Sequence, residues 1–271
     1  MNMSDFEVFI CGDIEGVSGF VDWAQEDEES ERVRRAMTED INAAIRGVLS
    51  ERKAEIVVND SHGGKRNIIL EELHPKATLV RGGPRPHGMI SGAEGSADIG
   101  FQIGAHTRPG YGGVLEHVFS SSTMSEVTLN GQPVGEVELN AMGMEYFDVP
   151  TGLVTGDDRL EDELTELLPR TKYVVTKECR GMRSAACRHP EAVREDIEAQ
   201  AAATVAEIEN GYPLNLGVDE DVRATIRYHQ ADTADKAALW PEVERIDSRT
   251  IGYQSTDNLE IYSFLRAASK V

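Results

Sequence analysis

The sequence predicts an α/β fold: a three-layer α/β/α arrangement around a mainly parallel sheet, with room for a smaller two-layer α/β appendage. Three observations carry this expectation. Strand-like and helix-like segments alternate through the first half of the chain, short buried runs end in Gly-, Asn- or Asp-rich turns, and two long stretches repeat apolar residues at helical spacing. At 271 residues the chain is long enough to form one unit, 1–271, with a substantial core and no need of disulfides.

Glu7 to Cys11 (EVFIC) reads as a buried strand ending at Gly12-Asp13. Residues 30–50 then place Val33, Met37, Ile41, Ile45 and Val48-Leu49 on one helical face, leaving Arg32, Arg34, Arg35, Glu39 and Asp40 as the solvated side. The run Glu55 to Val58 is the next strand, stopping at Asn59-Asp60-Ser61-His62-Gly63-Gly64, and Ile99 to Ile103 is a third, stopping at Gly104-Ala105-His106. In open α/β sheets, sites form beyond the carboxyl ends of strands, so these endings can converge in space.

Asn130-Gly131 predicts a hairpin turn between Val127–Leu129 and Val134. Val149 to Thr155 reads as a strand, and Asp157 to Leu168 as a helix capped by Asp157 or Asp158. Glu191 to Asn210 has Val193, Ile197, Ala201, Val205 and Ile208 on one face and Gly211 as its stop. Val222–Tyr228 and Glu244–Tyr253 follow as strands and Asn258–Ala268 as a closing helix, so that about 191–271 is a candidate smaller α/β subdomain.

Composition removes several function classes. A net charge of -21 repels nucleic-acid phosphates, and no basic stripe with interleaved aromatics offsets it. No apolar run approaches the roughly 18 residues that cross a bilayer. The three cysteines, Cys11, Cys179 and Cys187, form no C-x-x-C pair and fit a reducing, cytoplasmic setting; the opening MNMSDFEVFICGD lacks the basic segment of a secretion signal.

Asp13-Ile14-Glu15 is the sharpest local feature, because residues two apart on an extended chain project to one side. An isolated D-x-E is more often a solvated loop, but this one follows a buried strand and precedes Gly16-Val17-Ser18-Gly19. Two carboxylates in one pocket repel unless a proton or a cation joins them. His62 and His106 end two other strands, and imidazole with carboxylate suits zinc, less often manganese or cobalt. His74 and His189 precede proline and His87 follows one, which marks turns; His229 has no nearby acid, and His117 taken alone is a structural histidine.

The segments Asp13-Ile14-Glu15-Gly16-Val17-Ser18-Gly19, Val58-Asn59-Asp60-Ser61-His62, Gly104-Ala105-His106, Gly113-Val114-Leu115-Glu116-His117 and Pro133-Val134-Gly135-Glu136 stand in an order and spacing that resembles the DppA-type zinc D-aminopeptidase family. The likeness runs through Asp148-Val149-Pro150, Gly156-Asp157-Asp158 and Arg183-Ser184-Ala185 and fades beyond about Pro190. It implies two zinc ions per subunit, bridged by Asp13, with Glu15 and His62 on one and His106 and Glu136 on the other, and His117 as the catalytic histidine. Residue type alone does not separate Glu136 from Glu138, which share a side if this segment is a strand; the family pattern selects Glu136. Two departures, Glu116 before His117 and Ala105 in place of an aromatic before His106, bear on substrate preference.

The resemblance further implies hydrolysis of N-terminal residues from short peptides or amino-acid amides, D-amino-acid-containing ones in particular, by a metal-activated water with His117 assisting. A homo-oligomer, a decameric ring enclosing its active sites, is implied as well. Two competitors are a binuclear metal phosphoesterase, whose D-x-H start and G-N-H segment are missing, and a non-catalytic metal-binding assembly protein. A serine hydrolase is weaker, because Gly16-Val17-Ser18-Gly19 lacks the G-x-S-x-G spacing.

Overall fold

Strand β1 (Phe6–Gly12) is buried almost end to end, which a parallel strand covered on both faces requires. Its alternate side chains sort into two cores. Val8 and Ile10 pack with Val33, Met37, Ile41, Ile45, Val193 and Ile197, whereas Phe9 and Cys11 pack with Met89, Leu139, Met142 and Tyr262. The computed structural model describes residues 6–95, 97–216 and 221–271.

In chain order the elements are β1, α1 (Gln25–Glu28), α2 (Ser30–Glu51), β2 (Ala54–Asp60), β3 (Ala77–Val80), β4 (Ile99–Ile103), β5 (Met124–Leu129), β6 (Gln132–Pro133), α3 (Glu136–Glu145), β7 (Thr151–Asp157) and α4 (Asp158–Leu164). They continue with β8 (Lys172–Gly181), β9 (Ser184–Cys187), α5 (Pro190–Ala206), β10 (Val222–Tyr228), α6 (Ala231–Ala237), β11 (Glu244–Arg245), β12 (Thr250–Ser255) and α7 (Asn258–Ala268). The first sheet runs β3-β2-β1-β4-β7-β8-β9, parallel except for the β8–β9 pair. The second, β11-β12-β10-β5-β6, is antiparallel. Helices α2 and α5 pack together on one side of the first sheet, and α7 lies between α3 and the second sheet. The mainly parallel α/β architecture is therefore as expected.

Register puts the site in place. Gly12 pairs with Asp60 on one side and Ile103 on the other, so the carboxyl ends of β1, β2 and β4 are level and Asp13, His62 and His106 emerge together.

Several expectations change in detail. The strand expected over 244–253 is two strands separated by a turn, β11 and β12, which pair with each other. Asp40, expected on the solvated face of α2, is buried because Arg194 of α5 donates to it at 3.0 Å. The segment from Glu136 is a helix, not a strand, so Glu136 and Glu138 do not share a side. The second sheet joins β10, β11 and β12 to β5 and β6 from mid-chain, while α5 packs on α2. Asn130 and Gly131, with φ 49° and 83°, make the expected hairpin turn.

The close approach of α2 to α5 depends on Gly47, where an added Cβ would sit 2.2 Å from the Glu198 carbonyl oxygen and 2.8 Å from the Ala201 Cβ. In an exposed helix Gly→Ala stabilises by about 1 kcal/mol. Here overpacking, typically about 1–3 kcal/mol, opposes that gain, and the obstacle is backbone. Gly47→Ala should lower the denaturant midpoint of unfolding, and an unchanged or raised midpoint would show that the two helices can separate at no cost.

Candidate metal centre

The loop after β1 owes its shape to backbone contacts. Asp13 N donates to the Ile103 carbonyl at 2.8 Å and Gly16 N to that of Gly104 at 2.7 Å. A Cβ at Gly16 would lie 2.1 Å from the Ala105 oxygen, so only glycine permits this approach. Lys177, on β8 and fully buried, donates its ammonium protons to the carbonyls of Glu15, Val17 and Phe20, and the Thr176 hydroxyl donates to Gly16 O at 2.6 Å. Asp13 and Glu15 thus converge through a turn wound around a lysine, not along an extended strand.

All six residues expected at the site are brought together. His62 Nδ1 lies 3.2 Å from Asp13 Oδ1 and 3.1 Å from Glu15 Oε2. His106 Nε2 lies 3.8 Å from Asp13 Oδ2 and 3.3 Å from Glu136 Oε1. Asp13 therefore faces one imidazole with each oxygen, as a bridging carboxylate would. His117 Nε2 is 3.6 Å from Glu136 Oε1 and 4.0 Å from Glu15 Oε1, and its ring stacks on His106 with centroids 4.0 Å apart.

The donor set fits a divalent cation on one decisive observation. His106 Nδ1 bonds the Thr107 carbonyl at 3.0 Å, which requires the proton on Nδ1 and leaves a lone pair on Nε2. That Nε2 is buried without a hydrogen-bond partner and points at the carboxylates of Glu136 and Asp13, acceptor against acceptors. Only an added proton or a cation relieves this. The titration behaviour agrees: burial, then Glu15, pushes Asp13 up to about 7, while burial lowers His106 and the acids Glu136, Glu15 and Asp13 together carry it up to about 10. Glu136 falls to about 2 because His106 outweighs the effect of burial. His117 is lowered, by burial and then by His106.

Neighbours that the sequence did not single out hold these groups. Trp23 Nε1 donates to Glu15 Oε1 at 2.8 Å, Phe119 N to Glu136 Oε1 at 2.7 Å, and Glu26 Oε2 sits 3.2 Å from His62 Nε2. The Leu115 carbonyl accepts from His117 Nδ1 at 2.9 Å, leaving Nε2 to face the cluster. Asp60 is consumed by the loop after β2, accepting from Asn67 N, Asn67 Nδ2 and Ile68 N. Glu116 accepts from Gly112 N and lies outside the cavity lining. His189 caps α5 by accepting from Glu191 N, in keeping with its reading as a turn residue.

Glu136 opens α3, whereas Glu138 turns back to accept from Gly135 N at 3.1 Å and meets Glu163 of α4. Glu138 and Glu163 are buried against each other, and burial, then Glu138, pushes Glu163 up to about 9 although Arg108 Nε lies 3.2 Å from its Oε1. Helix geometry thus selects Glu136 where residue type could not.

The cluster opens into a cavity of about 220 Å³ lined by Trp23, Ser61, Met89, Phe119, Ser120 and Lys65 among others. A larger cavity, about 930 Å³, lies between the start of α2 and His189–Arg194 and holds none of the six.

Carboxylates and imidazoles gathered at the carboxyl ends of a parallel sheet define an α/β protein with a cation-competent centre. A model of the D-aminopeptidase family matches residues 6–267, and the chain belongs to that family. The D-aminopeptidase of Bacillus subtilis (strain 168) is 30% identical over 262 residues, 94% of each chain. The solved structure of the Zn-dependent D-aminopeptidase DppA from Bacillus subtilis, described as a self-compartmentalizing protease, superposes with a TM-score of 0.91 at 28% identity, covering 98% of this chain and 97% of that one.

The Glu163 proton sets a pH dependence. A folded-state pKa raised above the unfolded value contributes stability that is complete below about 4.5 and lost as pH rises through about 9. Unfolding midpoints should therefore fall between pH 7 and 10 for the wild type. Glu163→Gln, which keeps a donor without the ionisation, should flatten that fall; an identical slope in the variant would place the titrating group elsewhere.

Proposed function

We propose that this chain is a zinc-dependent aminopeptidase that removes the N-terminal residue of short peptides or amino-acid amides, D-amino-acid-containing ones by its family, with two zinc ions per subunit. The observation that carries the reading is Asp13, whose two oxygens face His62 and His106 separately. In this assignment Asp13 bridges, Glu15 and His62 complete one position, and His106 and Glu136 the other. Zinc, when bound, supplies a water of lowered pKa and a Lewis acid for the scissile carbonyl.

The chain's own residues supply the rest. His117 is held with its proton on Nδ1 by Leu115, and its lowered pKa keeps Nε2 free to take a proton and return it to the leaving amine. Trp23 and the Phe119 amide fix one oxygen each of Glu15 and Glu136, so the carboxylates keep their positions through the cycle. The family assignment favours this reading over the phosphoesterase and the non-catalytic assembly protein.

One geometry competes over His117, because His106, His117 and Glu136 also offer atoms within 4.8 Å of one another. Metal content and kcat measured on the same preparations decide it. His117→Ala should retain two equivalents of zinc while kcat falls about 100-fold or more; His106→Ala should lose metal. A His117→Ala protein that loses metal would make His117 a ligand.

A homo-oligomeric ring, decameric in the family-based expectation, is part of the same proposal, supported by the self-compartmentalizing description of the structural relative. The unpaired Cys11, Cys179 and Cys187 support a cytoplasmic setting. Light scattering should give a single large species, and a monodisperse monomer at both low and high salt would rule out the ring.

A further inference from the structure

In a chain of net charge -21, the cavity that holds the acidic centre is also lined by Lys65, Arg266 and Lys270. The same three residues line an adjoining groove of about 540 Å³ together with Arg66 and Arg85, so they stand where the two spaces meet. Several bases elsewhere pair with acids, as Arg35 does with Glu72, Arg46 with Glu198 and Arg194 with Asp40. Lys65, Arg266 and Lys270 form no ion pair with any described carboxylate.

The arrangement is built. Arg266 lies over the Phe119 ring at 5.0 Å, and Phe119 N is the donor that holds Glu136, which ties the guanidinium to the metal centre. Arg266 Nε is buried without a hydrogen-bond partner. Gly88, at φ +55°, makes room for it, since a Cβ there would come within 2.6 Å of that nitrogen. Arg85 behind them is engaged by the Val80 and Asp60 carbonyls at 2.9 and 2.7 Å, so it adds charge without competing for a ligand. Burial, then Arg266, Arg85 and Lys270, lowers Lys65 to about 8 against a smaller opposing pull from Asp60.

The chemistry that satisfies this wall is an anion, and a peptide carries one at its far end. The cavity volume of about 220 Å³ is below the roughly 300–1,000 Å³ of sites for larger ligands. Extended chain advances at most about 3.6 Å per residue. A peptide of two or three residues spans at most about 7–11 Å, and with its amine end at the metal centre its carboxylate would meet the cations that share the lining of this cavity. We propose that Lys65, Arg266 and Lys270 form a subsite for the C-terminal carboxylate of a short free peptide, which selects free di- and tripeptides over amides. This rests on the aminopeptidase reading for its catalytic consequence, but the subsite itself is defined by anion binding. Charge-assisted bonds from Arg and Lys, with a guanidinium able to grip both oxygens, supply the discrimination.

The test has two arms, on wild type, Lys270→Met and Arg266→Met/Lys270→Met. Calorimetry on metal-free protein compares N-acetyl-glycylglycine with its amide; neither has a free amine, so neither needs turnover. The wild type should bind the acid at least about 10-fold tighter, and the double variant should lose that margin. The second arm compares kcat/KM of zinc-loaded protein for a dipeptide and its C-terminal amide. A wild-type preference for the free acid should vanish in the double variant through KM, with the amide's kcat/KM little changed. Preference in binding without hydrolysis of any peptide would keep the subsite and reject the aminopeptidase reading. Hydrolysis of acid and amide alike, with equal binding, would overturn the subsite alone. A variant that loses the wild-type assembly in light scattering would also overturn it, by assigning the cations to contact between copies. Should the double variant fail to fold, Lys65→Met in the same two arms gives the same decision.

Discussion

Three buried carboxylates, Asp13, Glu15 and Glu136, meet the imidazoles of His62, His106 and His117, and Nε2 of His106 faces carboxylate oxygen without a hydrogen-bond partner. Like charges and facing lone pairs at this spacing are unfavourable in a low-dielectric interior unless a cation or protons intervene. Much of the surrounding structure can be understood as holding that arrangement in place against its own repulsion. Lys177 fixes the turn that carries Glu15, Trp23 and Phe119 hold single carboxylate oxygens, and Leu115 and Thr107 fix two histidine tautomers through their carbonyls.

The supports come from distant parts of the chain. Lys177 is on β8, Glu163 on α4 and Arg266 on α7, so the centre is assembled only when the first sheet has paired and α7 has docked between α3 and the second sheet. Glu138 shows how far this reaches: buried against Glu163 of α4, it accepts from the amide of Gly135, and the turn that begins there presents Glu136. Metal affinity and fold stability are for this reason coupled in one network.

Charge is distributed with the same logic. The chain is strongly acidic overall, the centre is acidic, and yet Lys65, Arg266 and Lys270, which form no ion pair with a described carboxylate, line its cavity. On the proposed reading the acidic residues of the cavity serve cations and an amine, and its basic residues an anion. A ligand carrying both charges is oriented by such a field before any specific contact is made.

Taken by itself, the sequence determined most of the elements and brought forward the candidate ligand types. Parallel strands buried on both faces leave continuous apolar runs, and long helices leave a 3.6-residue period; β1, α2, β4 and α7 were legible for that reason. Strand endings in Asp13, His62 and His106 likewise marked the site, because level carboxyl ends of neighbouring strands bring such residues together. The short edge strands β3 and β9 left little apolar pattern, and β8 carries a lysine in mid-strand whose buried role has no local signature. Residue type left Glu136 and Glu138 open and the family pattern favoured Glu136; tertiary structure places Glu136 beside His106 and turns Glu138 back to Gly135, because a helix start, unlike a strand, turns residues two apart away from each other. It alone also placed Lys65, Arg266 and Lys270 around one opening, since long-range packing of α7, and not spacing along the chain, sets which cations meet.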